Sequence, residues 1–254
     1  MKKHKIFWLI GIVLALAGGA IALFLRQSYY SNRTRAVISW IRDHENFVGP
    51  TVSAGERCQD AVFLMPTDGL IGFIWGDSFR PGHKHQGIDI FGSTTPGETE
   101  VFAAYDGYLT RLPDWKSSLI IRVPEDPIQP GRQIWLYYTH LADADGNSLI
   151  AEKFPPGSLE VPVTAGDLLG TQGNYSGTSG SPVGVHLHFS IVMDDGKGRF
   201  LNELEINNTL DPSPYFNLAL NAKANRDQVP ACQENWALAQ IMLYHLILNF
   251  HNRI

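Results

Sequence analysis

The chain has 254 residues, of which 44% are hydrophobic and 18% are charged, and its formal net charge is -5. This length suits one sizeable domain with additional segments at its ends. The negative balance, and a sequence without a basic stripe interleaved with aromatic residues, argue against nucleic acid as a partner.

The first predicted element is an apolar run over residues 6–25, which contains no charged residue. A helix needs roughly 20 apolar residues to cross a bilayer core, and this run reaches that length. It predicts a transmembrane signal-anchor helix that follows a cytoplasmic stub at residues 1–5. The chain would then be a single-pass protein of the cytoplasmic membrane, with its remainder on the extracytoplasmic, periplasmic or cell-wall side.

A cleaved signal peptide is the alternative interpretation of the same run. Ala15-Leu16-Ala17 and Ala20-Ile21-Ala22 resemble the small-residue sites at which such peptides are cut. Cleavage would release a secreted protein. A buried helix of a soluble domain is disfavoured, because the run lies at the N-terminus directly after Lys2, Lys3 and Lys5.

Residues 26–60 are predicted to form a helical linker. Between Thr34 and Phe47, apolar residues such as Val37 and Ile41 recur at helical spacing among charged residues, which is the pattern of a short amphipathic helix. Gly49-Pro50 then ends the helical pattern.

The sequence contains two cysteines, Cys58 and Cys232, and both follow the apolar run. In an oxidising compartment they can pair, and the chain-entropy treatment gives about 5 kcal/mol of stabilisation for so large a loop. The alternative is two separate thiols, because the sequence does not show whether their Cα atoms lie within bonding distance.

Residues 61–215 are predicted to form one domain with a mainly β fold. Glycine and proline divide this part of the chain into short stretches rich in β-branched and aromatic residues, which is typical of a compact antiparallel sheet. The predicted strands cover residues 102–104, 108–110, 119–123, 134–139 and 186–193.

Residues 216–254 are predicted to form a C-terminal helical segment. Its apolar part, residues 236–250, is too short to span a membrane by itself. It is interpreted as a helix packed on the domain, and a membrane-surface or partner-binding helix is the alternative.

Two histidines lie at a spacing of two in the last predicted strand. Alternate side chains of a strand point to opposite faces, so His186 and His188 share one face while Leu187 and Phe189 share the other. A single histidine in a strand is more often a structural residue. A pair of imidazoles on one face, backed by apolar residues on the other, is the pattern expected at the floor of a metal cleft.

A second candidate segment is His85-Gln86-Gly87-Ile88-Asp89. His85 and Asp89 share a face in an extended chain as well as in a helix, and Ile88 favours the extended form. Gly87 leaves space for a close approach, to the metal site or to a substrate. His83 lies two residues before His85 and would share its face in an extended chain. Either histidine could therefore be the ligand.

A third segment ends at His140, which follows the aromatic strand predicted at residues 134–139. Two imidazoles and one carboxylate can hold a metal ion while one position stays open for water, which is the ligand count of a catalytic zinc site and not of a structural one. Two further histidines then remain to move protons, so the combined set predicts a hydrolase.

The three segments together resemble the signature of the lysostaphin-type zinc peptidases of bacterial cell walls, which carry the LytM-like or duplicated-hybrid-motif domain. The resemblance covers about half the chain, from Gly69 to Met193. It extends to the strand and turn at residues 101–108 and to residues 163–174. The loop at residues 175–185 departs from the family pattern, because it is longer and ends in Gly-Val. Such a loop would rim the groove, so the departure concerns the substrate preference and not the metal site.

The resemblance implies an antiparallel β-sheet core with a zinc groove above it. It implies one Zn²⁺ per chain, held by His85, Asp89 and His188. It also implies that His140 and His186 are catalytic and lie beside the open position of the metal.

The function that follows is a membrane-anchored zinc metalloendopeptidase that hydrolyses stem or cross-link peptides of peptidoglycan. One alternative is a non-catalytic module that binds peptidoglycan or regulates a hydrolase, although each expected ligand is present. The other alternative is a zinc peptidase with a protein substrate.

Overall fold

The computed structural model describes residues 31–78, 81–225 and 227–232. The predicted membrane segment at residues 6–25 and the apolar tail at residues 236–250 lie outside these ranges. Within them, no helix combines the length and the apolar character that crossing a bilayer requires.

The first described element is the helix α1 (Asn32–Arg42), which begins where the side chain of Ser31 accepts a hydrogen bond from the backbone N–H of Thr34. The sequence predicted a helix from residue 34 to residue 47, and the observed helix begins and ends earlier. The reason for the early end is local, because a carboxylate oxygen of Asp43 accepts hydrogen bonds from the backbone and side chain of Asn46. Such side-chain bonds compete with continuation of a helix.

An antiparallel sheet forms the centre of the structure. The strands in chain order are β1 (Leu70–Phe73), β2 (Ile88–Phe91), β3 (Glu100–Phe102), β4 (Gly107–Thr110), β5 (Leu119–Val123), β6 (Ile134–Thr139), β7 (Val161–Val163), β8 (Leu168–Thr171), β9 (Leu187–Met193) and β10 (Thr209–Leu210). The main sheet has the order β1-β2-β9-β6-β5-β4-β7, and β10 also pairs with β9. Strands β3 and β8 form a separate two-stranded sheet.

The mainly β, antiparallel fold predicted from the sequence is confirmed. The predicted strands at residues 119–123 and 134–139 coincide with β5 and β6, and the strand predicted from residue 186 begins one residue later as β9. The prediction at residues 102–104 overlaps only the end of β3. Beyond Phe102, the backbone N–H of Ala103 donates to the carbonyl of Asp167 instead of continuing the ladder with β8.

The two faces of the central strands have different environments. On β9, Leu187, Phe189 and Ile191 are fully buried in the main hydrophobic core. Complete burial of one such side chain stabilises the fold by about 1.5–3 kcal/mol. The intervening residues of β9 lie on the opposite face, so the core fixes which side chains point away from it.

The segments on either side of the predicted domain at residues 61–215 contribute to the same core. Val52 and Leu220 are buried in it, and Cys58 and Cys232 form a disulfide within it. The pairing of the two cysteines is therefore confirmed.

The described part of the predicted C-terminal helical segment is not helical beyond residue 216. The short helix α2 (Ser213–Phe216) follows a 3-10 turn (Ile206–Asn208), and Asn217 ends it in the left-handed conformation, with φ 50° and ψ 40°. Residues 217–225 and 227–232 form turns and irregular segments. The prediction of a helix was wrong for these residues, because a left-handed residue directly after α2 reverses the chain direction.

Candidate metal centre and groove

Three side chains from distant parts of the sequence meet on the face of the sheet opposite the core. Asp89 lies in β2 and His188 in β9, and the two residues are paired in the antiparallel ladder. Nδ1 of His188 lies 2.8 Å from Oδ1 of Asp89. Nε2 of His85, which comes from the loop before β2, lies 3.0 Å from each of these two atoms.

This triangle of atoms fits a metal ion. In a tetrahedral zinc site with bonds of about 2.0–2.2 Å, neighbouring ligand atoms lie about 3.3 Å apart, close to the observed separations. Nδ1 of His85 pairs with the carbonyl oxygen of Ile74 at 3.1 Å, which makes that nitrogen the N–H donor and leaves a lone pair on Nε2. A metal ion at the centre of this triangle would accept a lone pair from each of the three atoms. Within the described residues, His85, Asp89 and His188 therefore form a possible metal site.

The charges in the centre depend on one another. Burial alone would raise the pKa of Asp89, but the imidazoles of His85, His186 and His188 hold the pKa well below its ordinary value. Burial by itself would lower the pKa of His85. The nearby carboxylate of Asp89 has the larger effect, so the pKa of His85 is raised above its ordinary value. Burial lowers the pKa of His188, with Asp89 opposing the shift. Asp89 therefore stays ionised, as a metal ligand must be.

The position of His85 differs from the prediction. The sequence placed His85 and Asp89 on one extended strand, but β2 begins only at Ile88. His85 lies in a loop, where its backbone N–H donates to the carbonyl of Asp77 at 2.8 Å and its own carbonyl accepts from the N–H of Gly76 at 2.8 Å. These backbone bonds, and not the alternation of a strand, direct its imidazole to the metal centre.

Gly87 permits a close approach, but to a different group from those predicted. A Cβ atom at this position would lie 2.0 Å from the carbonyl oxygen of Phe189. The glycine therefore allows the backbones of the β2 segment and β9 to approach each other, and it does not serve the metal or a substrate directly.

His83 does not take the place of His85. It lines the groove beside the centre, but the cluster of converging ligand atoms contains His85, Asp89 and His188. The geometry thus selects one of the two histidines between which the sequence left a choice.

His140 and His186 lie next to the three candidate ligands. The ring centres of His140 and His186 are 4.4 Å apart, and that of His140 is 6.4 Å from that of His188. Nε2 of His186 lies 3.8 Å from Oδ1 of Asp89. His140 directly follows β6 with a positive φ of 71°, a backbone conformation that is uncommon for residues other than glycine. The structure therefore brings together all five candidate side chains.

Two backbone carbonyls orient these histidines. Nδ1 of His140 donates to the carbonyl oxygen of Tyr175, and Nδ1 of His186 donates to that of Gly184, both at 2.7 Å. A carbonyl is only an acceptor, so in the neutral form of each imidazole Nε2 is left as an unprotonated base. Burial in turn lowers the pKa of His186 to about 4, which favours this neutral form.

Tyr175 and Gly184 are the functional residues that sequence reasoning missed, since it treated their loop only as the rim of the groove. They act through main-chain oxygens, and a main-chain oxygen leaves no signature in the residue type. No signal in a single sequence identifies them.

The five side chains lie in a groove of about 810 Å³. Its lining has an apolar side and a side that carries hydroxyl groups. The apolar side consists of Val37, Ile41, Phe73, Phe91 and Val183, and the hydroxyl side of Ser117, Ser118, Tyr137 and Thr139. Val37 and Ile41 belong to α1, so a helix predicted as part of a linker forms a wall of the groove.

The hydroxyl side is internally bonded. The hydroxyl of Tyr137 donates to Oγ of Ser118 at 3.1 Å, and Ser118 and Thr139 share a hydrogen bond of 2.7 Å between their hydroxyls. These bonds fix the positions of groups that lie on the strands next to the metal centre.

The chain matches no protein-family model and no curated protein sequence. Several solved structures are similar to it. The catalytic domain of the antimicrobial peptidase lysostaphin from Staphylococcus simulans is 19% identical, with a TM-score of 0.37 over 57% of this chain and 90% of that one. A putative glycyl-glycine endopeptidase, lytM, from Ruminococcus gnavus is 25% identical, with a TM-score of 0.34 over 54% of this chain and 47% of that one.

A third similar structure is a mutant form of the catalytic domain of the prophage-encoded M23 protein EnpA from Enterococcus faecalis. It is 20% identical, with a TM-score of 0.33 over 59% of this chain and 94% of that one. The similar structures thus come from the group of peptidases that the sequence motifs resemble. At these identities and TM-scores the function has to be inferred from the residues of the site.

Proposed function

We propose that this protein is a zinc metalloendopeptidase that hydrolyses peptide bonds in bacterial peptidoglycan. The observation that carries the proposal is the convergence of His85, Asp89 and His188 on one point of a groove, beside two further histidines whose Nε2 atoms are free to take a proton. Three protein ligands leave a fourth position for water or substrate, which is the arrangement of catalytic zinc sites.

When bound, zinc lowers the pKa of a coordinated water toward about 7 and polarises a substrate carbonyl. The protein supplies the remaining steps. Nε2 of His140 or His186 accepts the proton of the attacking water, because the Nδ1 atom of each ring is held by a carbonyl. The imidazolium that results returns this proton to the nitrogen of the leaving amine. The second histidine, when protonated, stabilises the negative charge that develops on the carbonyl oxygen.

The choice of peptidoglycan as substrate rests on the sequence resemblance to cell-wall peptidases. The groove suits a peptide, since one side offers apolar side chains and the other offers hydroxyls for main-chain polar groups. Anchoring in the cytoplasmic membrane through residues 6–25, with the groove on the extracytoplasmic side, is part of the proposal. The disulfide between Cys58 and Cys232 supports an oxidising compartment.

The test is digestion of purified sacculi by the full-length protein in detergent, with the His188→Ala variant as the inactive control. We expect soluble fragments that carry new amino termini, as measured by mass spectrometry. Fragments that carry new reducing sugar ends, or no fragments from a zinc-loaded protein, would refute the proposal.

Two control substrates separate the alternatives. Co-sedimentation with sacculi without release of fragments would support a non-catalytic binding module. Cleavage of unfolded proteins such as casein, with intact sacculi, would support a protein substrate.

A further inference from the structure

A buried ion pair links the helix α1 to the loop that carries a candidate metal ligand. Arg33 of α1 is only 4% exposed, and its Nη2 atom lies 2.6 Å from Oδ1 of Asp77. Its Nη1 atom donates to the main-chain oxygen of Asn225 at 3.2 Å and to the side-chain oxygen of the same residue at 3.4 Å. The guanidinium therefore joins three parts of the chain that are remote in sequence.

Asp77 in turn holds the loop that positions His85. Its second carboxylate oxygen, Oδ2, accepts the backbone N–H of Ile74 at 2.9 Å. The carbonyl of Ile74 then accepts Nδ1 of His85 at 3.1 Å, and the carbonyl of Asp77 accepts the backbone N–H of His85 at 2.8 Å. A continuous series of hydrogen bonds thus runs from Arg33 to the imidazole whose Nε2 faces the metal centre.

Attachment of α1 to the sheet does not depend on this ion pair alone. Val37 is buried against Phe91 and the main chain at Gly72, and the indole N–H of Trp40 donates to the carbonyl of Gly92 at 2.6 Å. Removing a guanidinium and a carboxylate from water is costly, and apolar residues can often replace a buried pair without loss of stability. Attachment of α1 by itself therefore does not require the ion pair.

We propose that Arg33 is a positioning residue for the metal centre, which acts through Asp77 to hold His85 in the orientation that binds the ion. This inference rests on the zinc site of the proposed function. Groups that orient a metal ligand typically change metal affinity by about 10–100-fold when they are removed. On this view α1 belongs to the catalytic unit and is not a passive linker.

The experiment measures the dissociation constant of Zn²⁺ from the full-length protein by competition with a chromophoric chelator. We expect Arg33→Met to weaken zinc binding by about 10–100-fold. Asp77→Asn should weaken zinc binding by a similar factor. The double variant should bind zinc as tightly as the single variant with the lower zinc affinity, because both changes break the same series of bonds. Arg33→Lys keeps the charge but not the fork of donors, and it should fall between the wild type and Arg33→Met.

The structure offers a matched control in Arg132. Its ion pair with the buried carboxylate of Asp126 has the same length of 2.6 Å, and neither residue belongs to the loop that carries His85. Arg132→Met removes a pair of the same length whose arginine side chain is 29% exposed, against 5% for Arg33. It should leave the dissociation constant of zinc within a factor of about two, as expected for independent sites.

The outcomes are distinct. Wild-type zinc affinity in Arg33→Met overturns the inference. An equal loss of zinc affinity in Arg132→Met also overturns it, since the loss would then result from a general decrease in the stability of the fold. If Arg33→Met does not fold, Asp77→Asn and Arg33→Lys decide the matter, and wild-type affinity in both overturns the inference. A wild-type protein that binds no zinc would instead refute the proposed function.

Discussion

Asp89 and His188 face each other across the ladder between β2 and β9, and their polar tips lie 2.8 Å apart. Two of the three candidate ligands are therefore fixed relative to each other by strand pairing, which the hydrophobic core behind them maintains. The third, His85, depends on a loop. The centre thus combines a rigid pair with one ligand that other contacts must hold in place.

The first prediction concerns the ligands. His188→Ala or Asp89→Asn should weaken zinc binding by at least about 100-fold, because removal of a direct ligand costs more than removal of a group that only orients one. The purified wild-type protein should contain close to one zinc per chain by elemental analysis. His83→Ala serves as the matched control and should keep its zinc, since His83 lies outside the ligand cluster. Zinc retained in both ligand variants would contradict the assignment, and so would iron in place of zinc.

The second prediction separates metal binding from proton transfer. His140→Ala and His186→Ala should each keep zinc near wild-type stoichiometry and lower kcat by about 10²–10⁴-fold, the usual contribution of general acid–base catalysis. The measurement is turnover of a peptide released from sacculi, with zinc content determined on the same samples. The expected roles would be refuted if either variant lost its zinc or kept wild-type kcat.

The third prediction tests the close approach at Gly87. Gly87→Ala places a methyl group against the carbonyl oxygen of Phe189, so β2 and β9 must separate. We expect a loss of about 1–3 kcal/mol in the free energy of unfolding, as in other overpacked sites. Zinc affinity should fall as well, because the movement pulls Asp89 away from His188. Thermal or urea unfolding and chelator competition measure the two effects.

Gly131→Ala is the control for this substitution. Gly131 lies in a turn, with φ +80°, and a Cβ there meets nothing within 4 Å. It should cost about 1 kcal/mol through backbone strain alone and leave zinc affinity unchanged. Equal effects of the two substitutions on zinc would show that the approach to Phe189 does not shape the metal centre.

The fourth prediction concerns the loop between the two orienting carbonyls. Residues 177–182 are exposed and lie between Tyr175 and Gly184, which hold the histidines. Replacement of residues 177–182 by two glycines should preserve zinc binding and change the relative kcat/KM values of different peptide substrates. The replacement alters the edge of the groove but keeps the carbonyls of Tyr175 and Gly184 that orient the two histidines. Unchanged relative values across a set of muropeptides would contradict a role of this rim in specificity.

The parts of the site that lie on strands could be predicted from the sequence. An alternation of two residues places His186 and His188 on one face, and the apolar residues between them indicate which face is buried. Short stretches rich in β-branched and aromatic residues, divided by glycine and proline, predicted the antiparallel sheet, with β5 and β6 at their observed positions. A sequence pattern within one strand is enough to predict which side chains of that strand share a face.

The remaining parts depend on contacts between residues far apart in sequence. The loop position of His85 is held through Arg33 and Asp77, which are separated by 44 residues. The packing of α1 against the groove and the orientation of His140 by the carbonyl of Tyr175 likewise arise from tertiary contacts. Such contacts do not follow the periodic spacing of residues along a helix or a strand, so a single amino-acid sequence does not reveal them.

The bond between Cys58 and Cys232, which lie 174 positions apart, closes the chain between them into a covalent ring. All five candidate side chains belong to that ring, and so does the exposed loop at residues 177–182. A single proteolytic nick in this loop would therefore open the ring without releasing either piece. The two pieces would separate only after reduction of the disulfide between Cys58 and Cys232.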